Sequence, residues 1–181
     1  MDKFTMSEVI CQRSNIPGLI CITPHIHYDY RGEYIETWNK EVYKNIQDIE
    51  FVQDDVSTSK YGVLRGLHGD WTTWKLIQCL KGEIFVVVVN CRDERGPLTE
   101  TFILNDKNRK QILIPPGCAN GHLVLSADGC VFSYKQSTYY KGADKQFTLL
   151  WDSVNVDWPI KQPILSLRDK QGKYYYNIKN E

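Results

Sequence analysis

Leu76-Ile77-Gln78-Cys79-Leu80-Lys81-Gly82-Glu83-Ile84-Phe85-Val86-Val87-Val88-Val89 contains two apolar runs on either side of a Lys-Gly pair. β-Branched residues dominate the second run, residues 84–89, which is typical of a strand buried on both faces. A two-residue connection of this kind predicts a β-hairpin with its turn at Lys81-Gly82. The centre of the chain is therefore predicted to be β-sheet.

Short apolar segments separated by turn residues continue on both sides of this hairpin, as is typical of a β-sandwich or barrel. The apolar segments are residues 19–22, 102–104, 111–114, 122–125 and 131–134, and the turns include Pro17-Gly18, residues 105–108, Pro115-Pro116-Gly117 and Asp128-Gly129. Helical spacing of apolar residues predicts a short helix over residues 39–49, and a second is expected near residues 166–170. We predict a mainly β fold, a jelly-roll β-sandwich or barrel with a few short helices.

Length and composition predict one domain spanning residues 1–181, with 42% hydrophobic and 24% charged residues. The formal net charge is zero, so neither nucleic acid nor a membrane surface is an expected partner. Residues 1–8 lack the basic and apolar regions of a secretory signal, and the longest apolar run is too short to span a bilayer. The six cysteines include no Cys-x-x-Cys pair, so we expect reduced thiols in a cytoplasmic protein.

A second informative stretch is Gly62-Val63-Leu64-Arg65-Gly66-Leu67-His68. Arg65 presents a planar fork of donors suited to phosphate, and His68 can exchange a proton near neutral pH. Gly66 allows another part of the backbone to approach closely. Strand alternation places Arg65 and Leu67 on one face and His68 on the opposite face. His68 is either an ordinary strand histidine bonded to a backbone carbonyl or an acid–base group.

A metal site is not predicted, although many jelly-roll barrels hold one. Such barrels use a His-x-His pair and a later histidine after a Pro-x-Gly turn. Here the corresponding positions are His68-x-Asp70 and Asn120, which leave one imidazole where metal sites need three or four good ligands. His25-x-His27 offers two imidazoles without an evident third ligand.

Two further polar residues are candidates for acid–base work. Tyr134 lies in an apolar strand where phenylalanine would serve for packing, so it is either a structural tether or a functional hydroxyl. Asp169 is either a surface acid of the last predicted helix or a functional carboxylate.

Together these motifs resemble the dTDP-4-dehydrorhamnose 3,5-epimerase family and its sugar-nucleotide relatives. One motif would be weak evidence, whereas the ordered set covers most of the chain. The matching motifs are Asp29-x-Arg31-Gly32 with Glu36, Gln53-Asp54-Asp55-x-Ser57, residues 62–68, Lys75-Leu76, residues 81–85, residues 114–117, residues 123–126, Tyr134-Lys135, Tyr139-Tyr140, Asp157-Trp158-Pro159 and residues 163–169.

The resemblance implies a cupin-type jelly roll that works without metal or cofactor, as a homodimer that exchanges N-terminal strands. It implies an enzyme that inverts C3, C5 or both in a nucleotide-linked 4-keto-6-deoxy sugar, through an enolate, for surface polysaccharide synthesis. The implied catalytic residues are His68 as general base, Asp169 as its orienting acid, Tyr134 as the acid on the opposite face and Lys75 as the cation near the C4 oxygen. The implied substrate contacts are Arg31 and Arg65 at the diphosphate, with Glu36, Gln53 and Ser57 on the nucleotide side. Tyr139 or Tyr140 is the implied aromatic that packs near the nucleotide or closes the pocket, and Asn120 and Arg168 are further substrate contacts.

The chain departs from the family pattern in two motifs. Where the family reads Ala-His-Gly-Phe, this chain has Ala119-Asn120-Gly121-His122, so an amide replaces a histidine that could shuttle protons. His122 either shares the strand face of Asn120 or is a rim or core histidine. The family's His-Phe/Tyr-Gln is changed to His68-Gly69-Asp70, and loss of the aromatic side chain predicts more room near the sugar.

These departures leave the substrate and the outcome of the reaction open. The sugar is a dTDP-hexose or a larger one, such as a GDP-linked 4-keto-6-deoxyheptose used for capsule assembly. Epimerisation at C3 alone and 3,4-ketoisomerisation are alternatives within the same fold. The alternative of another class is a non-catalytic β-sandwich that binds a sugar nucleotide or a partner protein, and a metal-dependent oxygenase is disfavoured by the ligand count.

Overall fold

The structure is a computed structural model that describes residues 2–6, 9–93 and 96–178. Its strands are β1 (Lys3–Met6), β2 (Val9–Arg13), β3 (Ile20–Pro24), β4 (His27–Asp29), β5 (Gly32–Tyr34), β6 (Gln53–Ser59), β7 (Leu64–Gly69), β8 (Lys75–Lys81), β9 (Glu83–Asn90), β10 (Leu98–Asn105), β11 (Gln111–Ile114), β12 (Cys118–Val124), β13 (Cys130–Gln136) and β14 (Phe147–Thr148). The helices are α1 (Lys40–Tyr43), α2 (Leu167–Lys170) and α3 (Tyr175–Ile178), with 3-10 turns at Ala143–Lys145 and Trp151–Ser153. None of the helices in these residues is long and apolar enough to cross a membrane.

Two antiparallel sheets face each other across a buried core. The seven-stranded sheet has the order β1-β2-β3-β11-β8-β13-β6, and the five-stranded sheet has the order β10-β9-β12-β7-β14. Ile77 and Ile112 of the first sheet share one apolar cluster with Val86 and Leu104 of the second. The predicted class, a mainly β jelly-roll sandwich with a few short helices, is confirmed.

The predicted hairpin at Lys81-Gly82 is wrong. Strand β8 pairs with β11 and β13, whereas β9 pairs with β10 and β12, so the chain crosses from one sheet to the other at this turn. The cause is burial: Ile77 of β8 and Ile84 of β9 both lie in the core between the sheets, where a flat hairpin could not bring them face to face. Gly82 makes the corner at φ +83°, and its N–H donates to Asp106 Oδ2 over 2.8 Å.

Strand β9 is buried on both faces, as predicted. Ile84, Val86 and Val88 face the core between the sheets. Val87 and Val89 face the opposite way, into a second apolar cluster supplied partly by the C-terminal segment. This segment covers the outer face of the five-stranded sheet and carries α2.

The helix predicted over residues 39–49 is shorter than expected: α1 spans only Lys40–Tyr43. Asn39 caps its start by accepting a hydrogen bond from the Glu41 N–H over 2.9 Å. The apolar residues that suggested a longer helix do pack together, with Tyr43 buried and Ile46 and Ile49 against the same cluster. Their spacing correctly indicated a buried face but not continuous helix. The second predicted helix, near residues 166–170, is confirmed as α2.

Candidate active site

A cavity of about 500 Å³ lies between the two sheets. Strands β7 and β12 of the five-stranded sheet form one wall, and β6, β8 and β13 of the seven-stranded sheet form the other. Residues 164–166, 168 and 169 of the C-terminal segment also line it. The predicted site residues that line this cavity are Ser57, Arg65, His68, Lys75, Asn120, Tyr134, Arg168 and Asp169.

Arg65 and His68 both face the cavity, contrary to the alternation expected for β7. The pairing with β12 shifts between them, since Arg65 is opposite His122 whereas His68 is opposite Asn120. Two residues of β7 therefore oppose one residue of β12, which is a β-bulge. The bulge turns Arg65 and His68 to the same side.

Glycines make this close approach of β7 and β12 possible. Gly66 has φ +129°, and a Cβ atom there would lie 2.5 Å from the Cα of Gly121. A Cβ atom at Gly121 would lie 2.7 Å from the carbonyl oxygen of Arg65. The expected role of Gly66, admitting another backbone, is confirmed.

His68 is hydrogen-bonded to a carboxylate rather than to a backbone carbonyl. Its Nε2 lies 2.6 Å from Oδ1 of Asp169, which is only 2% exposed. The other carboxylate oxygen, Oδ2, accepts a hydrogen bond from Ser166 Oγ over 2.7 Å. Ser166 is also the N-cap of α2, accepting from the Asp169 N–H over 3.2 Å. Asp169 is thus a buried, oriented acid and not a surface acid of the helix.

The charges of this pair suit a neutral base beside an ionised acid. Burial lowers the pKa of His68 below its usual 6.5, outweighing the opposing effect of the hydrogen bond that His68 donates to Asp169. Burial would raise the pKa of Asp169, but hydrogen bonds from His68 and Ser166 hold it below its usual range. The proton of the neutral imidazole therefore lies on Nε2, and Nδ1 keeps a free lone pair.

Lys75 is a buried cation at the start of β8. It is 7% exposed, and its Nζ donates to Asn120 Oδ1 over 3.2 Å. Burial lowers its pKa, an effect that Asp70 opposes and Arg168 adds to. None of the described carboxylates lies within 4 Å of Nζ, so the cavity contains a positive charge without a paired anion.

Tyr134 approaches the cavity from the opposite wall. It lies on β13 of the seven-stranded sheet, half-buried, with its ring centroid 5.5 Å from that of Phe132. Burial, Asp55 and Tyr140 raise the pKa of its phenol above the usual 10, so it keeps its proton at neutral pH. His68 and Tyr134 thus offer a proton acceptor and a proton donor from different sheets.

Two guanidinium groups lie at the edges of the cavity. Arg65 donates from Nε to Ser59 Oγ over 2.8 Å, and Arg168 donates from Nε to Thr148 Oγ1 over 3.0 Å. Neither forms an ion pair with a carboxylate of the described residues, which leaves their charge available to an anionic ligand.

The model of the dTDP-4-dehydrorhamnose 3,5-epimerase family matches residues 13–176. This chain belongs to that family. The predicted family and its class of enzyme, a nucleotide-sugar epimerase, are confirmed.

Individual members of the family match along nearly their whole length. The dTDP-4-dehydrorhamnose 3,5-epimerase of Shigella flexneri is 35% identical over 173 residues, covering 90% of this chain and 94% of the relative. The enzyme of Methanothermobacter thermautotrophicus is 36% identical over 179 residues, covering 93% and 95%.

Solved structures of family members have the same fold. The Legionella pneumophila epimerase, crystallised with dTDP-4-keto-L-rhamnose, has a TM-score of 0.87 and 34% identity, with 94% of each chain covered. The Bacillus anthracis enzyme, with TDP and pyrophosphate bound, has a TM-score of 0.84 and 32% identity, covering 90% of this chain and 97% of that chain.

Four of the family-matched positions lie outside the lining of the main cavity. Gln53 accepts a hydrogen bond from the Tyr140 N–H over 2.7 Å, and Tyr139 lines a smaller cavity next to the main one. Arg31 is exposed on the β4–β5 hairpin, where its guanidinium binds Asp29. The side chain of Glu36 accepts from Asn39 Nδ2 over 3.1 Å.

The departure at Gly69 does not enlarge the cavity, contrary to expectation. A Cβ atom at Gly69 would lie 2.5 Å from the Phe147 ring and 2.5 Å from the Cys118 carbonyl oxygen. Position 69 therefore points away from the cavity, and Phe147 fills the space beside it.

Sequence reasoning missed several lining residues. Gln136 follows Phe132 and Tyr134 at strand spacing, so alternation along β13 could have found it. Ser166 lies three residues before Asp169, the spacing of an N-cap, which was a readable signal. Gln146, which accepts from Arg168 Nη2 over 3.2 Å, lies in an irregular segment and carried no signal.

Proposed function

We propose that this protein inverts C3, or C3 and C5, of a nucleotide-diphosphate-linked 4-keto-6-deoxy sugar. One observation carries the proposal: the His68–Asp169 pair and the Tyr134 phenol approach a single cavity from two different sheets. Inversion requires a proton to leave one face of a carbon and another to arrive at the opposite face. Groups on two walls meet that requirement.

His68 removes the first proton. The hydrogen on a carbon next to the C4 ketone is weakly acidic, so its removal needs a positioned base. The proton goes to Nδ1 of His68, because Nε2 is engaged with Asp169. The electrons of the C–H bond form an enolate, and the Asp169 carboxylate stabilises the imidazolium that results.

Lys75 stabilises the enolate. The negative charge develops on the C4 oxygen, and a pre-positioned buried cation lowers the energy of that state. The ammonium of Lys75 lacks a paired carboxylate among the described residues and is fixed by the side chain of Asn120. The enolate supplies the missing negative charge.

Tyr134 returns a proton to the opposite face. Its raised pKa keeps the phenol protonated until the enolate accepts the proton, which restores the ketone and leaves a phenolate. The imidazolium of His68 and the phenolate of Tyr134 then exchange a proton through solvent, which resets the site. No external cofactor enters this sequence.

The diphosphate is bound by Arg65, with Ser57 and Arg168 nearby. Orientation of the substrate by groups remote from the reacting carbon contributes to rate. Relatives in the solved structures hold dTDP-sugar or TDP, which favours dTDP, and GDP is the second candidate. Both nucleotides therefore belong in the test.

A homodimer is part of the proposal. Arg31 and Glu36 match family positions near the nucleotide, but they lie outside the cavity of their own chain. Exchange of N-terminal strands between two copies brings these side chains to the neighbouring cavity. Gln53, which binds the Tyr140 N–H, and Tyr139, which lines the smaller cavity, complete the nucleotide side.

The test is deuterium exchange in heavy water, followed by NMR, with dTDP- and GDP-linked 4-keto-6-deoxy hexoses and heptoses. Exchange at C3 alone identifies a C3 epimerase, and exchange at both C3 and C5 identifies a 3,5-epimerase. Migration of the carbonyl to C3 identifies a 3,4-ketoisomerase. Binding without any exchange would show a non-catalytic sugar-nucleotide-binding protein and overturn the proposal.

A further inference from the structure

Gln136 is a buried amide on the cavity wall for which the steps above have no role. It is 3% exposed, lies at the end of β13 and lines the same cavity as Tyr134. The two side chains share one face of the sheet because they are two residues apart along the strand. Gln136 is therefore a polar group inside the candidate site.

Asp55 of β6 fixes the orientation of this amide. The Nε2 atom of Gln136 donates to Asp55 Oδ2 over 2.9 Å, and Nε2 of Gln53 donates to the same oxygen over 2.8 Å. A carboxylate only accepts hydrogen bonds, so the amide nitrogen of Gln136 and not its oxygen must face Asp55. The carbonyl oxygen Oε1 is thereby directed away from Asp55.

The protein itself leaves Oε1 of Gln136 without a partner. This oxygen accepts no hydrogen bond from the described residues, and it is not one of their buried unpaired side-chain atoms, so it is open to the cavity that the residue lines. An amide oxygen only accepts, so a ligand must offer it a donor. The diphosphate and the C4 ketone of a nucleotide-linked 4-keto sugar carry no hydrogen to donate, whereas hydroxyl groups do.

The sugar is the part of the substrate nearest to Gln136. Gln136 is the direct partner of Lys75 in the pairing of β13 with β8, and both Lys75 and Tyr134 act on the sugar in the proposed reaction. Ser57, which lies near the diphosphate, is opposite Phe132, four residues from Gln136 along β13. Gln136 therefore lies beside the reacting carbon atoms and away from the diphosphate.

A nucleotide-linked 4-keto-6-deoxy sugar has two hydroxyl groups on its six-membered ring. C1 holds the diphosphate, C4 is the ketone and C5 carries the alkyl chain, which leaves the hydroxyls of C2 and C3. We propose that Gln136 is a specificity-determining residue whose Oε1 accepts a hydrogen bond from one of these ring hydroxyls. The inference rests on the proposed function and deepens it. Gln136 thus selects against sugars that lack this hydroxyl.

Paired changes in the protein and in the ligand isolate this bond. Gln136→Met removes the amide but keeps the length of the side chain, and exposed Gln47→Met is the control. Calorimetry measures the Kd of dTDP and GDP, of dTDP-glucose and GDP-mannose, and of the 2-deoxy and 3-deoxy analogues of these sugar nucleotides. Gln136→Met is expected to weaken binding of the parent sugar nucleotides about 10-fold, while the Kd of the nucleoside diphosphates changes less than about twofold.

The deoxy analogues identify the hydroxyl. One of them should bind the wild type about 10-fold more weakly than its parent does, and it should bind Gln136→Met as tightly as the parent. Loss of the bond to Asp55 alone would weaken the parent and both analogues equally, and that result would overturn the inference. A parallel loss for sugar nucleotide and nucleoside diphosphate would place the contact on the nucleotide, where Gln53 is expected, and would also overturn it.

The wild-type protein alone tests the inference if Gln136→Met does not fold. Binding of both deoxy analogues as tightly as their parent would overturn the inference and leave the proposed function intact. Failure of the wild type to bind any sugar nucleotide would instead contradict the proposed function.

Discussion

Nε2 of His68 lies 2.6 Å from Oδ1 of Asp169, although 101 residues separate them in the chain. Strand β7 carries the histidine, and α2 carries the acid. The α2 segment is tied to the sheet by a parallel bridge between Val63 and Ile164. The bond therefore requires that the C-terminal segment packs against the sheet. It also sets which nitrogen of His68 has a lone pair available to accept a proton.

Asp169→Asn should remove most of the activity without unfolding the protein. An amide nitrogen can donate to Nε2, which moves the imidazole proton to Nδ1, the atom that must accept the substrate proton. By analogy with loss of the orienting acid in a catalytic triad, kcat should fall about 10³- to 10⁴-fold. Steady-state kinetics and a thermal melt check this, with exposed Asp144→Asn as the control. Unchanged kcat would remove Asp169 from the mechanism.

The rate should decline on the acid side with a midpoint below pH 6.5. Burial lowers the pKa of His68 from that value, so the base is neutral near pH 7 and becomes protonated only as the pH falls through its lowered pKa. Protonation fills the lone pair of Nδ1 and stops proton removal. The pH profile of kcat/KM and an NMR titration of His68 should give the same midpoint. A midpoint above 6.5 would contradict the assigned base.

Tyr134→Phe should separate proton removal from inversion. His68 can still take a proton and return one exchanged with solvent to the same face, so deuterium enters the substrate without a change of configuration. Product formation should fall about 10²- to 10⁴-fold, the usual contribution of a general acid. NMR in heavy water measures both rates in one experiment, with exposed Tyr61→Phe as the control. Wild-type inversion in the variant would assign the second proton to another group.

Lys75→Met should lower activity and leave stability unchanged or higher. The cation stabilises the enolate, and loss of one such group costs about 10²- to 10³-fold in kcat. The pKa of Lys75 is lowered mainly by burial, which means that folding disfavours its charged form. Replacement by an apolar chain of similar length removes that penalty. Steady-state kinetics test the loss of activity, and a thermal melt tests the unchanged or higher stability. Lys81→Met, on the exposed end of the same strand, is the control.

Gly66→Ala should destabilise the protein more than Gly32→Ala. Both glycines have nearly the same backbone angle, φ +129° and φ +132°, so the penalty for the left-handed region is shared. A Cβ atom at Gly32 meets nothing within 4 Å, whereas one at Gly66 lies 2.5 Å from Gly121 Cα. Gly32→Ala should cost about 1–3 kcal/mol and Gly66→Ala clearly more, with loss of activity. Urea unfolding of the two variants gives the comparison, and equal costs would contradict the close approach of β7 and β12.

Local patterns predicted the strands well, because the apolar residues within each strand indicate which of its faces are buried. The run at residues 84–89 indicated burial on both faces, and β9 has it. Which strands pair was not predictable in the same way, because pairing depends on residues far apart in sequence. Lys81-Gly82 is compatible with a hairpin and with a corner between sheets. The corner forms because β8 and β9 pack against each other across the same core.

The cavity lining was predictable where a motif carried it and not where the backbone departed from regular geometry. Alternation failed at Arg65 and His68, because a bulge is set by the partner strand and not by β7 alone. The position of Arg31 and Glu36 outside the cavity was also not predictable, because a motif match gives no three-dimensional position.

The separation of His68 from Asp169 has a consequence during synthesis on the ribosome. Translation proceeds at about 5–20 residues per second, so roughly 5–20 seconds pass between synthesis of the histidine and of the acid 101 residues later. Throughout that interval the nascent chain contains a histidine with no partner to set its tautomer. A message truncated between the codons of Thr148 and Asp169 yields a protein that keeps β1 to β14 but has no oriented base.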